Sequence, residues 1–181
     1  MLFSCKLRTR LDTIYTKYNN VIKIELGIIN LFIAFGFFAN YGTEPIQKYF
    51  ALPLYVLVGL LFFYEGFKNK YDKLTKITKL QMILIILFCL YPVISYALGN
   101  RYPKMVLYIM PCPVITISIA IYCMYETKNT ILLLLLTIWG LTGIKSVIFN
   151  AYEDIILLIA GIYCGYVIFT NRKRNSKTGN V

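Results

Sequence analysis

Apolar positions along this chain fall in runs far longer than a soluble helix or strand needs, and polar residues are confined to the short gaps between them. Six runs stand out, at residues 21–40, 49–67, 80–98, 105–125, 130–150 and 155–170. Roughly 20 mostly apolar residues, rising about 1.5 Å each, cross the ~30 Å hydrocarbon core of a bilayer. The pattern predicts an all-α polytopic membrane protein with about six transmembrane helices in one bundle. One run is interrupted. Pro111-Cys112-Pro113 lies inside the fourth, and a proline there removes a helical hydrogen bond and pushes the preceding residue out of helical geometry. We expect the fourth helix to be broken at this point, leaving the carbonyls of Leu107 and Ile109 without helical partners. In hydrocarbon such groups must be satisfied by protein or by a watered cavity.

Composition agrees with this pattern. Of the 181 residues, 59% are hydrophobic and 15% charged, against about 45–50% and about 25% in a soluble domain. Little is left for a soluble unit: residues 1–20 read as a cytoplasmic interfacial segment, 21–170 as the six-helix domain and 171–181 as a basic cytoplasmic tail. The net charge of +11 changes the picture through its placement. Lys6, Arg8, Arg10 and Lys17 precede the first run, five lysines from Lys68 to Lys79 fill the second-to-third gap, and Arg172, Lys173 and Arg174 follow the last run. The alternate gaps are poor in charge, so the positive-inside rule puts both termini in the cytoplasm of a cell-membrane protein. Because the basic residues follow topology and match no RNA-binding motif, nucleic acid is not expected as a partner. Lys6, Arg8 and Arg10 also interrupt any signal-peptide core. Phe3, Leu7, Leu11, Ile14 and Tyr18 instead share one helical face, as an interfacial helix requires. Tyr41, Tyr49 and Phe50 fall at one membrane edge, and Tyr64, Phe67, Tyr71, Tyr122 and Tyr125 at the other, where tyrosine prefers to sit.

Candidate chemistry is sparse. The chain has no histidine, so the usual general base and metal ligand are missing. Ionisable residues inside a membrane are costly and mark pairs or sites. Lys145 and Asp154 flank the last turn at similar depth and are expected to form an ion pair, with Asp154 also serving as a helix N-cap. Glu65, beside Lys68, is expected to snorkel towards the inner interface. Cys89, Cys112 and Cys164 fall within runs, where no disulfide is expected. With Met110 they make a candidate soft site for a thiophilic metal ion such as monovalent copper; no other cofactor is expected. Trp139 lies mid-run and reads as a packing residue whose N–H needs a partner. Gly161 with Gly165, and Gly140 with Gly143, supply small residues for close helix approach.

Tyr91-Pro92, Gly99, Tyr102-Pro103 and Pro111-Cys112-Pro113 together resemble the signature of an uncharacterised membrane-protein family, domain of unknown function 6064. Downstream, Trp139, Gly143, Glu153-Asp154 and Ala160-Gly161 are similar to its second recurring stretch. The resemblance covers most of the chain from about residue 30 onward. It implies a helical membrane fold and brings no established activity. The family usually carries histidine where Asn100 stands and two threonines where Val114 and Ile115 stand, while Ser118 keeps a hydroxyl. Any chemistry that relatives perform with that histidine is closed to this chain.

The candidate ligand site consists of Tyr91, Asn100 and Tyr102 with Pro111, Cys112 and Pro113, joined by Trp139 and Asp154. Three classes of function fit. One is a small transporter or channel with its site at the broken fourth helix, as discontinuous helices provide in transporters. Another is a non-catalytic accessory or assembly protein. The third is a metal-binding or redox protein acting through Cys112. An enzyme is the weakest reading, since no nucleophile, base and orienting group stand out together. The lipid bilayer is the expected partner, and so short a chain for six spans suggests a homo-oligomer or a membrane partner protein.

Overall fold

The computed structural model describes residues 19–42, 44–68, 72–101, 105–146 and 152–178, with side chains as far as Asn171. The expected interfacial helix, Cys5, Tyr71, Tyr102 and the side chains of the basic tail lie outside the described residues. Those described form six helices. They are α1 (Asn19–Ala39), α2 (Gln47–Lys68), α3 (Lys79–Ala97), α4 (Pro111–Tyr122), α5 (Thr130–Ile144) and α6 (Ile155–Thr178), the last preceded by a 3-10 turn over Tyr152–Asp154. Four stretches, Asn19–Ala39, Gln47–Lys68, Lys79–Ala97 and Tyr152–Asn171, are long and apolar enough to cross a membrane; α4 and α5 are shorter. The chain has the make-up of a helical membrane protein. Ile83, Ile86 and Val93 on α3 are exposed, as a face turned to lipid requires.

Helix starts follow local chemistry. Thr78 and Gln81 cap α3 reciprocally, each side chain taking the other's backbone N–H, which satisfies two orphan donors. The Asn129 side chain accepts the N–H of Ile131 at the start of α5. Gly99, with φ at +91°, turns the chain after α3, a backbone conformation open mainly to glycine. The Pro-Cys-Pro motif corrects the expectation of a helix broken in its middle. Pro111 is the first residue of α4, and Met110 before it is extended, with φ −87° and ψ 159°. At a first helical turn a proline's missing N–H costs nothing and its fixed φ suits the helix. Residues 105–110 run as turn and coil into that start, and the Leu107 carbonyl, expected to be orphaned, accepts the Met110 N–H at 3.0 Å. The twelve residues of α4 rise only about 18 Å.

That half-length helix is the centre of the bundle, packed against α3, α5 and α6, with nine of its twelve residues buried. Beside it, α5 and α6 cross at bare backbone. A Cβ added to Gly140 would lie 2.5 Å from the Cα of Gly161, and one on Gly161 would lie 2.5 Å from the Gly140 carbonyl carbon. The close pair is therefore Gly140 with Gly161, across two helices. Gly165 makes only ordinary contact, with Thr137 Cγ2 3.6 Å from where its Cβ would stand.

One end of the bundle is closed by a buried polar lock. The Lys23 ammonium, fully buried in α1, lies 2.6 Å from Asp72 Oδ2 and 3.9 Å from Glu65 Oε2, and sits 4.2 Å above the Tyr125 ring. Asp72 Oδ1 accepts the Thr127 N–H at 3.1 Å, and Asn129 Nδ2 donates to Glu65 Oε1 at 3.2 Å. The two loops are also joined through backbone, Thr75 N–H to Met124 O at 2.7 Å and Glu126 N–H to Lys73 O at 2.9 Å. Two expectations are corrected here. Glu65 is buried rather than snorkelling, while Lys68 turns to the Tyr64 hydroxyl at 2.6 Å. Tyr122 and Tyr125 are fully buried rather than edging the membrane. The Tyr125 hydroxyl donates to the Asn19 carbonyl at 2.6 Å; burial, and then the Asp72 charge, push its acidity well below that of an ordinary phenol.

Candidate functional site

At the end of the bundle opposite the lock, the first turn of α4 borders a cavity of about 410 Å³. Its aromatic wall is Phe37, Phe38, Phe50 and Trp139. Rings pack closely around the indole, with Tyr55 at 5.0 Å, Phe38 at 5.8 Å and Phe50 at 6.5 Å between centroids. Two π-helical segments, Ile33–Ala39 in α1 and Gln47–Ala51 in α2, supply most of that wall. Such wide turns are rare and recur at functional sites. Tyr55 anchors α2 to α4 by donating its hydroxyl to the Pro111 carbonyl at 2.7 Å.

The polar wall joins α4, α3 and the start of α6. The Cys112 thiol lies beside the Asp154 carboxylate, and the Tyr91 hydroxyl donates to Asp154 Oδ1 at 3.3 Å. Behind this row, Glu153 Oε1 accepts from Asn100 Nδ2 at 3.1 Å and from Ser95 Oγ at 3.4 Å, while Ser95 Oγ takes the Val106 N–H at 3.0 Å. The Asn100 donor thus ties the end of α3 to the acidic pair. It stands where the resembled motif carries histidine, so the position keeps its donor.

The structure gathers most of the residues singled out in the sequence. Pro111, Cys112, Trp139 and Asp154 line the cavity; Tyr91 reaches it through Asp154, and Asn100 through Glu153. Pro113 is buried in the first turn of α4, and Tyr102 lies outside the described residues. The expected ion pair is corrected. Lys145 and Asp154 both line the cavity, but the ion pairs among the described residues are those of Lys23, and the Asp154 carboxylate accepts from Tyr91 and lies beside Cys112. Met110 and Cys112 share the cavity wall, whereas Cys89 is exposed on α3. Cys164 is buried beside Cys123, its thiol donating to the Leu133 carbonyl at 3.4 Å. Among the described residues no three His, Cys, Asp or Glu side chains cluster as metal ligands would.

Several cavity residues escaped the sequence reading. Phe50 reads only as an aromatic at the membrane edge, Phe37 and Phe38 carry no signal of their own, and nothing in the sequence marks the π-helical turns that aim them. Ser146 carried no signal at all. Its hydroxyl and the Trp139 Nε1 are buried with no hydrogen-bond partner among the described residues.

No curated protein and no protein of solved structure matches the chain. The model of a family of unknown function, DUF6064, matches residues 9–178, which is nearly the whole sequence, and the chain belongs to that family.

Proposed function

We propose that this protein binds a small molecule in the cavity at the start of α4 and carries it through the membrane, as a small transporter of the cell membrane with both termini cytoplasmic. The observation that carries the reading is the cavity itself. Its volume of about 410 Å³ falls within the ~300–1,000 Å³ of small-molecule sites, which are mostly apolar with a few convergent polar groups. A helix that begins part-way into the bundle is also how membrane proteins expose backbone and polar side chains to a ligand without exposing them to lipid. The distribution of lysine and arginine supports an orientation with the Lys23 end inside and the cavity end outside.

The test is accessibility of Cys112 in intact cells. A small, charged, membrane-impermeant methanethiosulfonate should modify Cys112 from outside much faster than Cys123 or Cys164, which are buried away from the cavity. Modification should also abolish uptake by reconstituted vesicles of any solute the protein carries. A folded protein whose Cys112 stays unmodified sinks the reading and leaves an accessory role as the better one. The same labelling addresses thiophilic metal, for which the shared placement of Met110 and Cys112 speaks: monovalent copper bound there would protect Cys112.

A further inference from the structure

We infer that the cavity is built for a small zwitterion with an apolar body, such as a hydrophobic amino acid; this rests on the proposal that the cavity binds a ligand. Donors lie on one side. Trp139 lies near the end of α5, Lys145 and Ser146 follow directly after it, and all three line the cavity. The Trp139 Nε1 and Ser146 Oγ are buried and have no partner among the described residues, and Lys145 joins none of the ion pairs there. A buried donor left unmade costs free energy that a bound acceptor removes. Two neutral donors and an ammonium on one side of the cavity suit a carboxylate.

The other side carries the opposite charge. Asp154 accepts from Tyr91 and lies beside the Cys112 thiol, but a carboxylate offers about four acceptor positions, so it can still take an ammonium. With Pro111 and Pro113 lacking an N–H, the first three residues of α4 offer a ligand's anion only the Cys112 N–H; the helix's positive end also favours the Asp154 charge beside it. A bare anion would satisfy these donors and meet repulsion from Asp154, with Glu153 close behind. A bare cation would satisfy Asp154 and leave the Trp139 and Ser146 donors empty beside Lys145. A ligand bearing both charges meets both walls, and Phe37, Phe38 and Phe50 surround its apolar part.

Trp139 is the chain's one tryptophan, so its emission reports occupancy directly. Purified protein in lipid nanodiscs is titrated with L-phenylalanine, with phenethylamine, which lacks the carboxylate, and with 3-phenylpropionate, which lacks the amine. L-Phenylalanine should saturate the emission change at a concentration at least about tenfold below either analogue, the scale of one charge-assisted hydrogen bond. Lys145→Met should weaken L-phenylalanine about tenfold and leave phenethylamine unchanged. Because Lys145 is exposed, this variant is expected to fold normally. Asp154→Asn should weaken L-phenylalanine and spare 3-phenylpropionate. A single-charge analogue that binds as tightly as the zwitterion overturns the inference and leaves a binding cavity. So does the absence of any binding in a protein whose Cys112 is readily modified. Absence of both binding and Cys112 modification removes the cavity reading and the inference together.

Discussion

Glu153 shows how closely single residues are constrained here. Its side chain is buried, one oxygen takes Asn100 and Ser95, and the other has no partner among the described residues. Removing the Asn100 donor leaves the acid poorer still, so Asn100→Ala should lower stability by about 1–3 kcal/mol. Asn100→His restores a donor and should recover most of that loss. Unfolding midpoints in one detergent decide it, and equal losses for both variants would show that the amide itself is required. This site was legible because the motifs carrying the resemblance hold its polar residues: Tyr91, Asn100, Cys112 and Asp154 were all named from the sequence. What the sequence did not reveal was pairing. Depth along a helix brought Lys145 level with Asp154, but rotation about the helix axes decides which side chains meet, and that depends on packing. The partner of Lys23 was hidden for the same reason. It stood at the edge of a run, with nothing local to show that Asp72, 49 residues away, would bury it.

Elements were legible as far as hydrophobic run length carries. The six runs correspond to six helices, and α6 continues through the basic residues to Thr178. Run length could not separate a spanning helix from the short α4, because the coil before Pro111 is as apolar as the helix after it. The prolines held that information and were read the wrong way round: they begin α4 rather than interrupt it. Glycine gives the sharpest test at this scale, because two positions four residues apart on α6 should respond with opposite sign. At Gly161 a new Cβ meets backbone of α5 at 2.5 Å, and backbone cannot swing aside. Gly161→Ala should therefore cost up to about 3 kcal/mol, the upper part of the overpacking range. At Gly165 the nearest atom is an ordinary contact at 3.6 Å, so Gly165→Ala should stabilise by about 0.5–1 kcal/mol through helix propensity. Thermal unfolding of both variants checks the pair. A harmless Gly161→Ala would mean that α5 and α6 do not cross there.

For the whole molecule, the central fact is that the cavity and the lock occupy opposite ends of one bundle. Four of the helices link them: α1 carries Lys23 at one end and Phe37 at the other, α2 carries Glu65 and Phe50, and α4 and α5 run between the same two regions. Passage of a ligand through such a body requires the Lys23 end to open in turn, which means separating Lys23 from Asp72. Asp72→Asn removes the full charge from that pair. Breaking a buried pair from one side typically costs about 3–5 kcal/mol, and Glu65, 3.9 Å from the same ammonium, should hold the loss near the lower figure. If the lock is a gate, that cost falls on the closed state rather than on the fold. Cys123 lies under the locked loops and is 4% exposed, so in inside-out vesicles a small thiol reagent should modify it several-fold faster in Asp72→Asn than in the unaltered protein. Lys23→Met combined with Asp72→Asn removes the stranded charge and should return Cys123 towards its original protection. An Asp72→Asn variant that unfolds more readily while Cys123 stays protected until it does would identify the lock as a structural fastening, and the cavity would then be a binding site served from one side only.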